Sequence, residues 1–156
     1  MTAHDDLLRA LDAHFQAMPP VAALRLRISG YDGTRLRLHA PLAANVNDKG
    51  CAFGGSLASL MTLAGWGLAT MQLQAHGLDA AVYVADSQVR YLAPLYGDLE
   101  ASAWLADGDW DAVRAALRAN GRASMVLQSE VTGDGGAGAI ASSGRARYVA
   151  IARTPG

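Results

Sequence analysis

Between Lys49 and Asp79 the chain carries no formally charged side chain, leaving His76 aside. That run is long enough to span a bilayer. It is diluted, however, by Gly, Ser, Thr, Gln72 and Gln74, and it lacks flanking basic clusters and aromatic belts. A helix that is apolar on nearly every face can equally be the buried centre of a domain with water outside it. The dilution and the missing flanks favour this second reading, and a composition of 51% hydrophobic and 17% charged residues over 156 positions argues against disorder. The run therefore predicts a helix from about Ser56 to Ala75, stopped at Gly77 and wrapped by the rest of the chain.

The wrapping material reads mostly as strands. His4 to Met18 places Leu7, Leu8, Leu11, Phe15 and Met18 on one helical stripe, and Pro19-Pro20 ends it. Leu24, Leu26 and Ile28 alternate with Arg25, Arg27 and Ser29. After the turn at "YDG", Leu36 and Leu38 alternate with Arg35, Arg37 and His39, so a hairpin with one wet face is expected. Pro41 to Gly55 is a long loop, the kind that often carries function. Ala81 to Leu92 reads as a long strand closed by Pro94, and Leu99 to Leu105 as the next. Asp111 to Asn120 is ambiguous, with alanines and Leu117 that suit a short helix ended by Gly121. Ser124 to Val131 and Ala139 to Ala152 are the last strands. Short connections between late strands mean antiparallel pairing, hence an α+β fold in a single domain over residues 1–156.

Several functions find no support. The formal net charge is −1 and no basic block is present, which argues against a nucleic-acid partner. Cys51 is the only cysteine, and His4, His14, His39 and His76 are scattered without ligand spacing, so no metal site is expected. "GDGGAG" at 133–138 fits the dinucleotide pattern GxGxxG, but a strand follows it where a helix is required, so it reads as a hairpin loop. "GGSLA" around Ser56 lacks the final glycine of a serine-hydrolase elbow. The start, MTAHDDLLRA, has early acids and no apolar core of a signal peptide, and a cytoplasmic protein without membrane insertion is expected.

The loop before the central run then becomes informative. It reads Asn47-Asp48-Lys49-Gly50-Cys51-Ala52-Phe53-Gly54-Gly55. Many acyl-CoA thioesterases of the hotdog fold carry N-x-x-G-x-x-H-G-G before a long central helix, and the stretch resembles that motif. "ADSQVRYLAPLYGD" looks like the strand of the same family that ends in Tyr-hydrophobe-x-Pro, with a later Gly-Asp. More closely, "PLAANVNDKGCAFGGSLASLMTLAGWGL" is similar to the thioesterase domain found at the C-terminus of YiiD acetyltransferase-like proteins. The likeness spans nearly the whole chain, although no acetyltransferase domain is expected ahead of it. It implies a hotdog fold, an antiparallel sheet wrapped around a long central helix. The implied substrate is an acyl thioester, with CoA or phosphopantetheine arriving as part of that substrate and no separate cofactor. The implied assembly is a homodimer or a dimer of dimers, with Ala81–Leu92 at the seam.

The physics of the motif supports an oxyanion site on its own account. The first N–H groups of a helix lack intrahelical partners, and the helix dipole favours negative charge there. Gly54 and Gly55 lack Cβ atoms, so a thioester carbonyl could approach closely. The alternative is that both glycines serve only tight turning or packing.

Two positions depart from the family. Phe53 stands where the family has histidine, and Thr62 stands eight residues after Gly54, where such thioesterases place a catalytic carboxylate. Threonine is no general base at neutral pH. The base is therefore sought elsewhere. Asp86 interrupts a strand on the face expected to hold Val84, Gln88 and Arg90, and is either a base or half of an ion pair with an arginine. Asp48 in the loop is either a second base candidate or a loop-ordering residue. Asn47 matches a position that orients water or the thioester, and could instead cap a turn. Phe53, Ser56, Ser59, Thr62 and Trp66 are expected around the substrate, while Met61, Leu63 and Met71 suit an acyl chain or simply the core. The competing function is an acyl-thioester binder without hydrolysis.

Overall fold

The computed structural model describes residues 2–153. The chain forms α1 (Ala3–Ala17), α2 (Pro19–Ala22), β1 (Arg27–Tyr31), β2 (Leu36–Ala40), α3 (Gly54–Gln74), β3 (Ala80–Tyr91), β4 (Leu99–Leu105), α4 (Trp110–Asn120), β5 (Arg122–Thr132) and β6 (Ile140–Ala152). The strands make one sheet in the order β1-β2-β4-β5-β6-β3, with every pairing antiparallel. Its inner face curls against α3, the uncharged run of the sequence. Leu57, Leu60, Met61, Ala64, Leu68, Met71 and Leu73 of α3 are buried against Leu36, Leu38, Leu99, Ala101, Leu127, Val131 and Tyr148 of the strands. No helix among the described residues is long and apolar enough to cross a membrane.

Small residues set how closely helix and sheet approach. A Cβ on Gly65 would collide with the Tyr148 hydroxyl, and one on Gly67 would come within 2.6 Å of a Leu36 methyl and 3.2 Å of the Phe15 ring. The far end of α3 is held by polar contacts instead. The buried Arg114 of α4 donates to Gln72 Oε1 at 3.0 Å and Asp111 Oδ1 at 2.5 Å, while the Gln72 amide donates to the Gly33 carbonyl of the first hairpin. A cation at a helix C-terminus is favourable, and here it joins three elements.

Local sequence rules explain most boundaries. Thr2 and Asp5 form a reciprocal capping box at the start of α1. Asp109 caps α4 through the Ala112 N–H at 2.7 Å, and Gly121 ends it in the left-handed region at φ 69°. The ambiguous segment 111–120 is thus a helix. "GDGGAG" is the β5–β6 connection, as a hairpin loop should be. Two expectations need correction. The central helix begins at Gly54, so the glycine pair lies inside its first turn. The first hairpin does not begin at Leu24. Pro19 and Pro20 open the short helix α2, for which proline's fixed φ is suited, and the chain turns through Arg25 at φ 55° before β1 starts at Arg27.

Candidate active site

The loop 41–53 aims the first turn of α3. Its parts are tied by Asn45, which is buried: its amide donates to the Leu24 and Pro41 carbonyls, both at 2.9 Å, and its own carbonyl accepts the Phe53 N–H at 2.8 Å. Asn47 works one step further on. Its side-chain oxygen accepts the N–H groups of Lys49 at 2.8 Å and Cys51 at 3.1 Å, and its amide nitrogen lies 3.3 Å from Cys51 Sγ. That is the turn-capping alternative for Asn47, with the oxygen engaged by the backbone. A single bridge between Val46 and Ala52 closes the loop.

The product is a helix start that no side chain caps. Phe53 is the residue before the first turn and is 56% exposed. Its ring covers Gly55, so a Cβ there would strike it. Tyr91, at the end of β3, covers Gly54: its hydroxyl donates to the Gly54 carbonyl at 3.3 Å, and a Cβ on Gly54 would meet its ring at 3.4 Å. Two exposed aromatic rings thus flank the uncapped N–H groups. The sequence reading did not single out Tyr91, although it is the tyrosine of the quoted Tyr-hydrophobe-x-Pro pattern.

Along α3, Gly55, Ser59, Thr62 and Trp66 fall on one stripe, as the helical repeat requires. Gly55 and Ser59 are exposed, and Thr62 and Trp66 half-buried. Ser56 points the other way and is buried. The Thr62 carbonyl accepts the buried Tyr148 hydroxyl at 2.8 Å, and burial pushes that phenol's pKa up, keeping it a donor. Trp66 is clamped: its Nε1–H donates to the Val82 carbonyl at 2.9 Å, and its ring packs on His14 and Phe15 of α1.

The two candidate bases do not converge on this stripe. A bulge between Val84 and Asp86 breaks the alternation of β3. Val84 pairs with Tyr148, whose ring faces α3, whereas Asp86 pairs with Arg147 on the opposite face. Asp86 is not on the face of Val84, as simple alternation predicted. Its carboxylate is bonded to the Arg147 guanidinium at 3.0 and 3.1 Å, with both groups well exposed. Tyr91, which touches Gly54, is five residues further along the strand, roughly 16 Å away at strand rise. Asp48 is exposed and paired with Lys49 at 3.0 Å on the loop that leads into α3. Among the described residues no cluster of His, Cys, Asp or Glu could hold a metal ion.

Comparison with known proteins agrees with this architecture. Residues 8–152 match the family model described as "Putative thioesterase (yiiD_Cterm)". A solved structure described as a putative thioesterase from Shewanella oneidensis superposes with a TM-score of 0.85 at 27% identity, over 94% of this chain and 99% of that one. A protein of unknown function from Chlorobaculum tepidum gives 0.84 at 25% identity, over 96% and 94%. A thioesterase from Haemophilus influenzae shares the fold, with a TM-score of 0.73 at 14% identity over 97% and 92%. The sheet wrapped on a long central helix is therefore a hotdog fold, and the chain belongs to the thioesterase family of YiiD C-terminal domains.

Proposed function

We propose that the protein hydrolyses an acyl thioester carried on CoA or on the phosphopantetheine of a carrier protein, with the reacting carbonyl at the N-terminus of α3. The observation that carries this reading is the uncapped first turn of a buried helix, with glycines at its first two positions and Gly55 exposed. Its free N–H groups and dipole favour the tetrahedral oxyanion that forms when water attacks the carbonyl. Such donors are worth about 3 kcal/mol of barrier each. Phe53 and Tyr91 wall the site, and Thr62 and Ser59 supply hydrogen bonds along the stripe. Asn47 acts by holding the loop that presents the glycines. Both carboxylates are ion-paired, Asp48 with Lys49 and Asp86 with Arg147, and Asp48 suits the base role better by position, on the loop that leads into α3, whereas Asp86 faces away from α3. The molecule works as a homodimer or a dimer of dimers in the cytoplasm, with no nucleic-acid partner.

The test is release of free thiol from acyl-CoA esters of increasing chain length. Gly55→Val is expected to abolish turnover by crowding the donors, Asp48→Asn to lower kcat, and Asp86→Asn to leave it unchanged. Thr62→Asp restores a carboxylate on the stripe and is expected to raise kcat. The absence of any carboxylate on that stripe favours one other reading, a protein that binds acyl thioesters without cleaving them. Tight binding without thiol release by the wild type selects it.

A further inference from the structure

Leu36, Leu38, Leu99 and Ala101 are buried against α3, so the residues that alternate with them face the other side of the sheet. There the strand registers set out a polar grid. Arg37 of β2 stands beside Ser102 of β4, and Ser102 beside Glu130 of β5. In the next row Glu100 stands beside Thr132. These five side chains and Arg35 border a hollow of about 180 Å³, together with Gly135 and Gly136 of the β5–β6 loop. A Cβ on Gly136 would come within 3.9 Å of Thr132 Oγ1 and 4.0 Å of Glu100 Cγ, so a glycine there keeps the hollow open.

Two of the bordering groups are held inside the protein. Glu100 accepts the Ser29 hydroxyl at 2.5 Å and lies 3.2 Å from His39 Nδ1. Arg35 stacks its guanidinium 4.0 Å over the Trp104 ring, which leaves the N–H edge of the planar fork open. The other four are not held. Ser102 and Thr132 are only 9% and 6% exposed, yet neither hydroxyl has a hydrogen-bond partner among the described residues. Buried polar groups are almost always bonded. Arg37 and Glu130 form no ion pair with each other or with another described residue, and Arg37 exerts only a minor pull on the Asp32 carboxylate. By contrast, Arg145 and Arg147 on the same face are each held by an aspartate.

We infer that this hollow is a second ligand site, for a small zwitterion of the α-amino-acid type. Arg37 and the open edge of Arg35 take its carboxylate, a group that guanidinium forks match. Glu130 takes its ammonium, and the Ser102 and Thr132 hydroxyls bond the ligand between them. Two carboxylates against two guanidiniums disfavour a simple anion. The size follows from the sheet. Arg37 and Glu130 are two strands apart, roughly 10 Å between backbones at about 4.8 Å per strand. Two charge-assisted bonds of about 2.8 Å take up more than half of that span. What remains fits two ligand charges on neighbouring atoms of a short backbone. The hollow far exceeds the ~15 Å³ that one water needs and falls below the range of drug-sized sites, about 300–1,000 Å³. The sheet separates it from α3, so its ligand binds whether or not the protein cleaves thioesters.

The experiment titrates isotope-labelled protein, followed by nuclear magnetic resonance, with glycine, L-alanine and L-serine. Propionate and propylamine, each with one of the two charges, are titrated beside them. The amide signals of Ser102, Glu130, Gly135 and Gly136 report binding. Saturable shifts are expected with the amino acids, and affinities about tenfold lower or weaker still with either single-charge probe, the loss of one charge-assisted hydrogen bond. Arg37→Gln and Glu130→Gln are each expected to weaken amino-acid binding by a similar factor, with the signals of α3 unchanged as the sign of an intact fold. In Glu130→Gln the amino acids should bind no better than propionate. A titration without saturation for all three amino acids overturns the inference. Propionate binding as tightly as alanine to the wild type marks a plain anion patch and also overturns it, as does wild-type affinity in both variants.

Discussion

Tyr148 and Gly65 show how one contact can fix a helix against a sheet. The Tyr148 hydroxyl occupies the place where a Gly65 side chain would stand, and it donates to the Thr62 carbonyl one turn before. Gly65→Ala is therefore expected to cost about 1–3 kcal/mol, the range for overpacking a core, read as a lower midpoint in chemical denaturation. Adding Tyr148→Phe removes the hydroxyl and should recover part of that loss, because the two substitutions share one contact. Asp32 makes a prediction about pH. Its carboxylate accepts the backbone N–H of Arg35 at 2.7 Å, then the N–H and hydroxyl of Thr34, both at 2.9 Å, and these bonds hold its pKa below the ordinary value. A depressed folded-state pKa adds stability above the unfolded value, near ~3.9, and that stability fades as pH falls through the folded value. Denaturation of wild type and Asp32→Ala should differ at neutral pH and converge in acid below about pH 4.

At the scale of elements, α4 and the end of α3 depend on Arg114. Arg114→Ala would leave Gln72 Oε1 without its partner in a buried setting and is expected to cost about 2 kcal/mol. Arg114→Lys should recover little, since an ammonium cannot reach Gln72 and Asp111 with one planar fork. The long elements were legible because their signal extends over many residues: the uncharged run, diluted by small and polar residues and without basic flanks, read as a buried core helix rather than a membrane span, and β3, β4, β5 and β6 lie within a few residues of the expected strands. The motif likewise marked the helix start. What alternation could not reveal was the bulge at Val84/Asp86, because one inserted residue reverses every assignment of face beyond it. Asp86 stands out in the sequence as a charge that interrupts a Val- and Tyr-rich strand, and the fold pairs it with Arg147, the arginine ion pair that was its alternative reading. Tyr91 was missed for another reason: its role comes from a contact with Gly54 across 37 positions of sequence, which no local pattern carries.

The whole molecule presents one long strand on its edge. Among the described residues β3 pairs only with β6, and its residues are largely exposed, among them Tyr83 and Val84. Such an edge invites a partner. If the homodimer forms there, Val84→Lys should shift the protein to monomer in light scattering at micromolar concentration, and an unshifted mass would place the interface elsewhere. The strand order carries a further consequence, for the nascent chain. β6 stands between β5 and β3, so β3 is synthesised before any of its neighbours in the sheet exists, and it waits while β4, α4 and β5 are made. At about 5–20 residues per second that wait lasts seconds, with two open strand edges and several apolar side chains presented to the cell. The ribosome-bound chain should therefore be at its most aggregation-prone just before β6 emerges, and a stop placed ahead of Ile140 should yield a chaperone client where the full chain folds.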